Sequence, residues 1–110
     1  MLNFAMIIER PRAKRYGFVA AIEIVDLQSD LRLHARITDL SLYGCGVSAT
    51  KPFLAGTRVR VRITYNGSKF EAIGRVTYAT SDSYMGILFA RVETKDQLVL
   101  EKWVAELRDK

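Results

Sequence analysis

The run Arg58-Val59-Arg60-Val61-Arg62-Ile63-Thr64-Tyr65-Asn66-Gly67 decides the fold. Val59, Val61, Ile63 and Tyr65 alternate with Arg58, Arg60, Arg62 and Thr64, the period of two that turns one strand face to a core and the other to water. Asn66-Gly67 follows directly and calls for a two-residue type I′ hairpin turn, in which both central residues take positive φ. The return strand runs from about Lys69 to Ala79, with Phe70, Ala72, Gly74, Val76 and Tyr78 on one side and Glu71, Ile73, Arg75 and Thr77 on the other. Glu71 offsets part of the Arg60 and Arg62 charge across the hairpin.

Outward from this hairpin the strand signals repeat. Tyr16 to Val25 is aromatic and β-branched, with Phe18, Ala20, Ile22 and Ile24 sharing a face. Asp26 to Asp30 is polar and closes that strand. Leu31 to Thr38 follows, with Leu31, Leu33, Ala35 and Ile37 opposite Arg32, His34 and Arg36. The alternation then runs into the polar turn Asp39-Leu40-Ser41-Leu42-Tyr43-Gly44. Asp39 and Ser41 can accept from nearby backbone N–H groups, and Gly44 and Gly46 permit positive φ or a close backbone approach. Cys45 to Thr50 is a short third strand. Lys51 to Gly56 is a connection, because Pro52 would forfeit a ladder hydrogen bond. Beyond the return strand, Thr80 to Ser83 turns the chain into a last strand, Tyr84 to Ala90.

From Thr94 the period changes. Leu100, Trp103, Val104 and Leu107 recur at helical spacing with Val99 at one edge, and Thr94 with Gln97 has the spacing of a capping box. A helix over about 95–108 must bury that stripe against an open end or face of the sheet. Six strands, no crossover helices and one terminal helix give an all-β expectation: a six-stranded antiparallel β-barrel over about 16–90 with a C-terminal α-helix, closure removing the strand edges.

At 110 residues the chain fits one domain, and 49% apolar content supports a packed core. Seventeen Lys and Arg against twelve Asp and Glu give a formal charge of +5, which favours an anionic partner without naming it. A single cysteine excludes an internal disulfide and points to a reducing compartment, and no apolar run has the length of a membrane span or the flanks of a secretory signal, so the expected location is cytoplasmic. Cys45 and His34 lie in strand patterns without CxxC or HExxH spacing, so no metal site is expected. No nucleophile with an activating base stands out, which argues against an enzyme. Arg58, Arg60 and Arg62 line one strand face beside Glu71 with no array of aromatics, so no nucleic-acid partner is expected. Residues 1–9 read as a hydrophobic N-terminal arm, with Leu2, Phe4, Met6 and Ile8 two apart, a pattern that equally fits an edge strand, a single helical turn, or a segment packed on the barrel or on a second subunit in a homodimer. Glu9 to Arg15 is a basic loop, made extended or irregular by Pro11.

Asp39-Leu40-Ser41-Leu42-Tyr43-Gly44 matches the (D/N)xSxxG motif in full, with Ala35-Arg36-Ile37-Thr38 before it and Cys45-Gly46-Val47 after it. Together with the basic run upstream, the Gly86-Ile87-Leu88-Phe89 strand and the terminal helix, this resembles a PilZ domain over residues 10–110. The resemblance implies a six-stranded barrel and a non-catalytic receptor for the bacterial second messenger cyclic di-GMP, relaying its binding through a conformational change to a bacterial protein partner. The alternative it leaves is a PilZ-type adaptor that binds no nucleotide and acts through protein contacts in motility, pilus function or a related process. The family's second motif, RxxxR, is matched only in part, by Arg10 with Lys14 at the second position, an ammonium standing where a guanidinium would fork onto phosphate. Arg15, or Arg12, would take the missing role after a small slip of the loop. By resemblance, Arg10, Lys14 and Arg15 clamp phosphates and stack on guanine, and Asp39 accepts from the guanine N1 and N2 donors. Ser41 adds a hydroxyl hydrogen bond, Gly44 keeps the turn open, and Arg12 and Arg36 are further candidates. No cofactor beyond the cyclic di-GMP ligand is implied.

Overall fold

A computed structural model describes residues 13–110. The 1–9 arm and the candidates Arg10 and Arg12 lie outside the described residues. The elements are β1 (Tyr16–Asp26), β2 (Arg32–Leu40), β3 (Gly44–Ser48), β4 (Arg58–Tyr65), β5 (Ser68–Ala79), β6 (Tyr84–Arg91) and α1 (Thr94–Arg108). The strands close into a barrel in the order β1-β2-β3-β6-β5-β4, and all neighbours are antiparallel. This is the expected six-stranded barrel with a C-terminal helix.

The hairpin that announced the fold forms as expected. Tyr65 pairs with Ser68 across Asn66 (φ 54°) and Gly67 (φ 80°), the two positive values of a type I′ turn. Val59, Val61 and Ile63 are wholly buried, while Arg58, Arg60 and Arg62 face water. The other strands supply the same barrel interior with Ile22, Ile24, Ile37, Val47, Phe70 and Met85. Truncating the largest of these, Phe70→Ala, would cost about 3–5 kcal/mol.

Two register shifts and one turn correct the sequence pattern. A bulge between Ile37 and Asp39 in the β2–β3 pairing carries the strand on to Leu40, so Asp39 belongs to β2 and the turn is only Ser41 to Tyr43. A bulge between Val76 and Tyr78 moves Tyr78 off the core side to the outer face opposite Gly86, where its ring is 50% exposed. Leu31 precedes β2 and is exposed, because Asp26 and Asp30 close the β1–β2 turn around it.

Helix α1 packs against β5 and β1, burying Leu100, Trp103 and Val104. Trp103 sits among Phe18, Tyr65 and Phe70, at ring-centroid distances of 5.6, 5.7 and 6.5 Å, and so plugs one barrel end with aromatic surface. The expected capping box does not form. Glu93 is the N-cap, its carbonyl accepting from Asp96 and Gln97, and Gln97 bonds Glu101 instead. The Asp96 carboxylate accepts from the backbone N–H of Glu71 at 2.8 Å, tying the first turn to β5 where β6 no longer covers it.

Candidate functional site

One cross-strand row on the outer face of the barrel reads Gly17 in β1, Asp39 in β2, Gly46 in β3, Gly86 in β6 and Tyr78 in β5. Glycine weakens a strand, so three in one row mark a place where something must come close to the backbone. At two of them the occupant is visible. A Cβ on Gly46 would collide with the Tyr84 hydroxyl and the Asp39 carboxylate, and one on Gly86 would lie 2.6 Å from the Tyr78 ring. At Gly17 nothing lies within 4 Å, so that end of the trough is open.

Asp39 is the polar centre of this trough. Its Oδ1 accepts from Arg15 Nε at 2.8 Å, with the Arg15 Nη2 at 2.5 Å. Its Oδ2 accepts from Thr38 Oγ1 and from Tyr84 Oη, each at 3.1 Å. Guanidinium, hydroxyl and phenol thus fix a carboxylate whose side chain is still 24% exposed. Partial burial acts to lower the Arg15 pKa, but the Asp39 hydrogen bond and charge outweigh it and raise it. Burial, the adjacent Tyr78 hydroxyl and the Asp39 charge push the Tyr84 phenol well above its ordinary value, which keeps it a proton donor. The Tyr78 and Tyr84 rings lie 5.8 Å apart and inclined at 38°, giving the trough an aromatic wall.

The remaining candidates fall in different places. The Lys14 ammonium lies 5.5 Å from the Tyr16 ring centroid, while the next residue, Arg15, reaches Asp39. Ser41 is buried, and its hydroxyl accepts from the N–H groups of Tyr43 and Gly44 and donates to the Gly44 carbonyl. It closes the turn instead of presenting a free group. Gly44 lies against the Ile87 carbonyl, so its missing side chain is what lets β3 and β6 meet. Arg36 is exposed on β2 between Ala21 and Ser48 and makes no ion pair among the described residues. The Cys45 thiol is buried under the trough, and burial followed by the Asp39 charge pushes its pKa up to about 12, so it stays protonated.

Tyr84, Tyr78 and Thr38 were absent from the residues picked out by sequence. Their signal was present in weak form: Gly86, a glycine inside a strand two residues after Tyr84. Which ring it accommodates depends on the bulge in β5, and periodicity alone does not report a bulge.

The trough thus sets a carboxylate, a guanidinium and an aromatic wall side by side on the outside of a closed six-stranded barrel. The chain belongs to the PilZ domain family, whose model matches residues 9–106. Solved structures agree on the fold. The PilZ domain of CeSA from a cellulose-synthesizing bacterium superposes with a TM-score of 0.71 at 16% identity, over 86% of this chain and 98% of that one. The PilZ domain of YcgR from Escherichia coli, with c-di-GMP, gives 0.71 at 17% identity over 92% and 93%. The Bacillus subtilis inhibitor of motility MotI/DgrA gives 0.75 at 16% identity over 94% of this chain but 54% of its own length, so the chain spans about half of that protein. No curated protein matches the sequence. Among the described residues no helix is long and apolar enough to cross a membrane.

Proposed function

We propose that the chain is a cytoplasmic receptor for cyclic di-GMP, binding it at the open Gly17 end of the trough against Asp39 and relaying the event to a protein partner. The observation that carries this reading is the Arg15–Asp39 pair, which joins the end of the basic loop to the motif carboxylate. A phosphate would be repelled by Asp39 alone and a guanine edge by Arg15 alone. A ligand with both groups engages each in turn, guanine N1–H and N2–H donating to Asp39 while the guanidinium forks onto phosphate. Solved relatives of the same fold include a Klebsiella MrkH complex with c-di-GMP, at 17% identity and a TM-score of 0.72. Because Arg15 already rests on Asp39, ligand entry rearranges that pair and moves the start of β1, which is the conformational signal.

Titration calorimetry with cyclic di-GMP tests the reading. Wild type should bind, and Arg15→Ala and Asp39→Ala should each weaken binding at least about tenfold, the loss expected for a charge-assisted contact. Absence of heat from folded wild type at high micromolar ligand would overturn it.

A further inference from the structure

Next to the trough, the outer surface of β4, β5 and β6 carries charge that the trough does not use. Two adjacent rows cross β4, β5 and β6: Arg58–Arg75–Leu88 and Arg60–Ile73–Arg91. Arg58 and Arg75 stand directly opposite each other, an arrangement that destabilises a sheet. None of Arg58, Arg60, Arg75 and Arg91 makes an ion pair or side-chain hydrogen bond among the described residues. The neighbouring acids are mostly committed elsewhere: Glu71 to Arg62 at 2.7 Å and Asp96 to the Glu71 N–H, leaving Glu93 beside Lys95 at a cleft lined by Arg60, Ile73 and Arg91. A like-charge row with no structural return points to a function outside the fold.

We propose that this face docks an extended acidic segment of a protein partner. Arginine around half-buried Ile73 and Leu88 is the make-up of protein-interface centres, from which lysine is depleted. Arg58 and Arg60 are alternate residues of one strand, about 6.6 Å apart along it, the interval that also separates alternate side chains of an extended peptide. Carboxylates at that interval meet both forks in register. Neither row carries an aromatic side chain among the described residues, Tyr78 standing one row further on against Gly86 and beside Tyr84, and the two apolar residues are recessed between longer arginines and cannot insert into lipid.

The test uses fluorescein-labelled peptides repeating Glu-Ser, which put a carboxylate on every second residue, in nucleotide-free low-salt buffer, read by anisotropy. Wild type should bind them. Arg58→Glu with Arg75→Glu should lower affinity at least about tenfold and transfer preference to a peptide repeating Lys-Ser, with no fall in melting temperature. Lys51→Glu with Lys102→Glu, an equal charge change elsewhere, should leave binding close to wild type. Failure of wild type to bind, equal losses in both double variants, or tighter binding to phosphatidylglycerol vesicles or a thymidine oligonucleotide than to the peptide would each overturn the proposal.

Discussion

Two neighbouring regions of the barrel's outer surface treat charge in opposite ways. Around Asp39 every polar group has a partner: Arg15, Thr38 and Tyr84 converge on one carboxylate, and glycine makes the room for them. Around Arg58 and Arg75 no partner stands among the described residues, and the backbone register forces like charges together. Both depart from what a merely solvated strand would carry, one with glycines that weaken the strand and the other with repulsion. The difference teaches what each can tolerate. A prearranged site fails when its shape changes, whereas an open charged face responds to charge and salt.

Gly46→Ala is the most severe way to break that contrast. The new methyl would occupy the space of the Tyr84 hydroxyl and the Asp39 carboxylate, so both must move. Overpacking of this kind costs about 1–3 kcal/mol, and urea denaturation should show it alongside loss of cyclic di-GMP binding. A variant as stable as the parent with full binding would mean that the trough is looser than its contacts indicate.

Tyr84→Phe is the gentler probe of the same face. It keeps the ring against Tyr78 and removes one donor from Asp39, whose side chain is partly exposed, so about 1 kcal/mol of stability should go. Nucleotide affinity should fall by a larger factor than Tyr78→Phe produces, since that change leaves the Asp39 donors intact. On the other face, Arg75→Glu should act with the opposite sign. Placing an acid opposite Arg58 should stabilise the protein by about 0.2–1 kcal/mol, with the gain shrinking as salt is added. A loss of stability there would show that the arginine row is held by contacts other than those described.

The hairpin at Asn66-Gly67, the barrel class and the Asp39 motif were legible because each is local: alternation, a turn dipeptide and a short spacing. What escaped was set by pairs distant in sequence. The capping box at Thr94 lost to tertiary structure, since Asp96 is used to satisfy a bare N–H of β5 and the helix starts from Glu93 instead. Tyr78 read as a core residue until the β5 bulge turned it outward, and Tyr84 meets Asp39 across 45 residues. Ser41 was legible as a turn residue, and the structure keeps its hydroxyl within that turn. The arginine stripe was visible at once, yet its meaning depended on Arg75 facing Arg58 instead of an acid, which only the register reveals.

Glu23 supplies the smallest and sharpest test, because it does for its neighbours what nothing described does for Arg58 and Arg75. It accepts from Arg32 Nη1 and lies against His34 Nε2, each at 3.1 Å, with Arg62 Nη1 at 4.0 Å. The Arg32 hydrogen bond, opposed by desolvation and aided by His34, holds the Glu23 carboxyl below its ordinary value of 4.5. A depressed folded pKa means that the stabilisation is complete above the unfolded value and disappears as pH falls through the folded one. Glu23→Gln should therefore be less stable than the parent near neutrality, and the two stabilities should converge as pH falls from the ordinary value of 4.5 through the lower folded one. Asp26, lowered by the Gln28 N–H and then by Ser29, remains in both proteins and leaves each a residual acid sensitivity. A stability difference that stayed constant with pH would show that Glu23 acts through packing, and the arginines around it would then be no better compensated than Arg58 and Arg75.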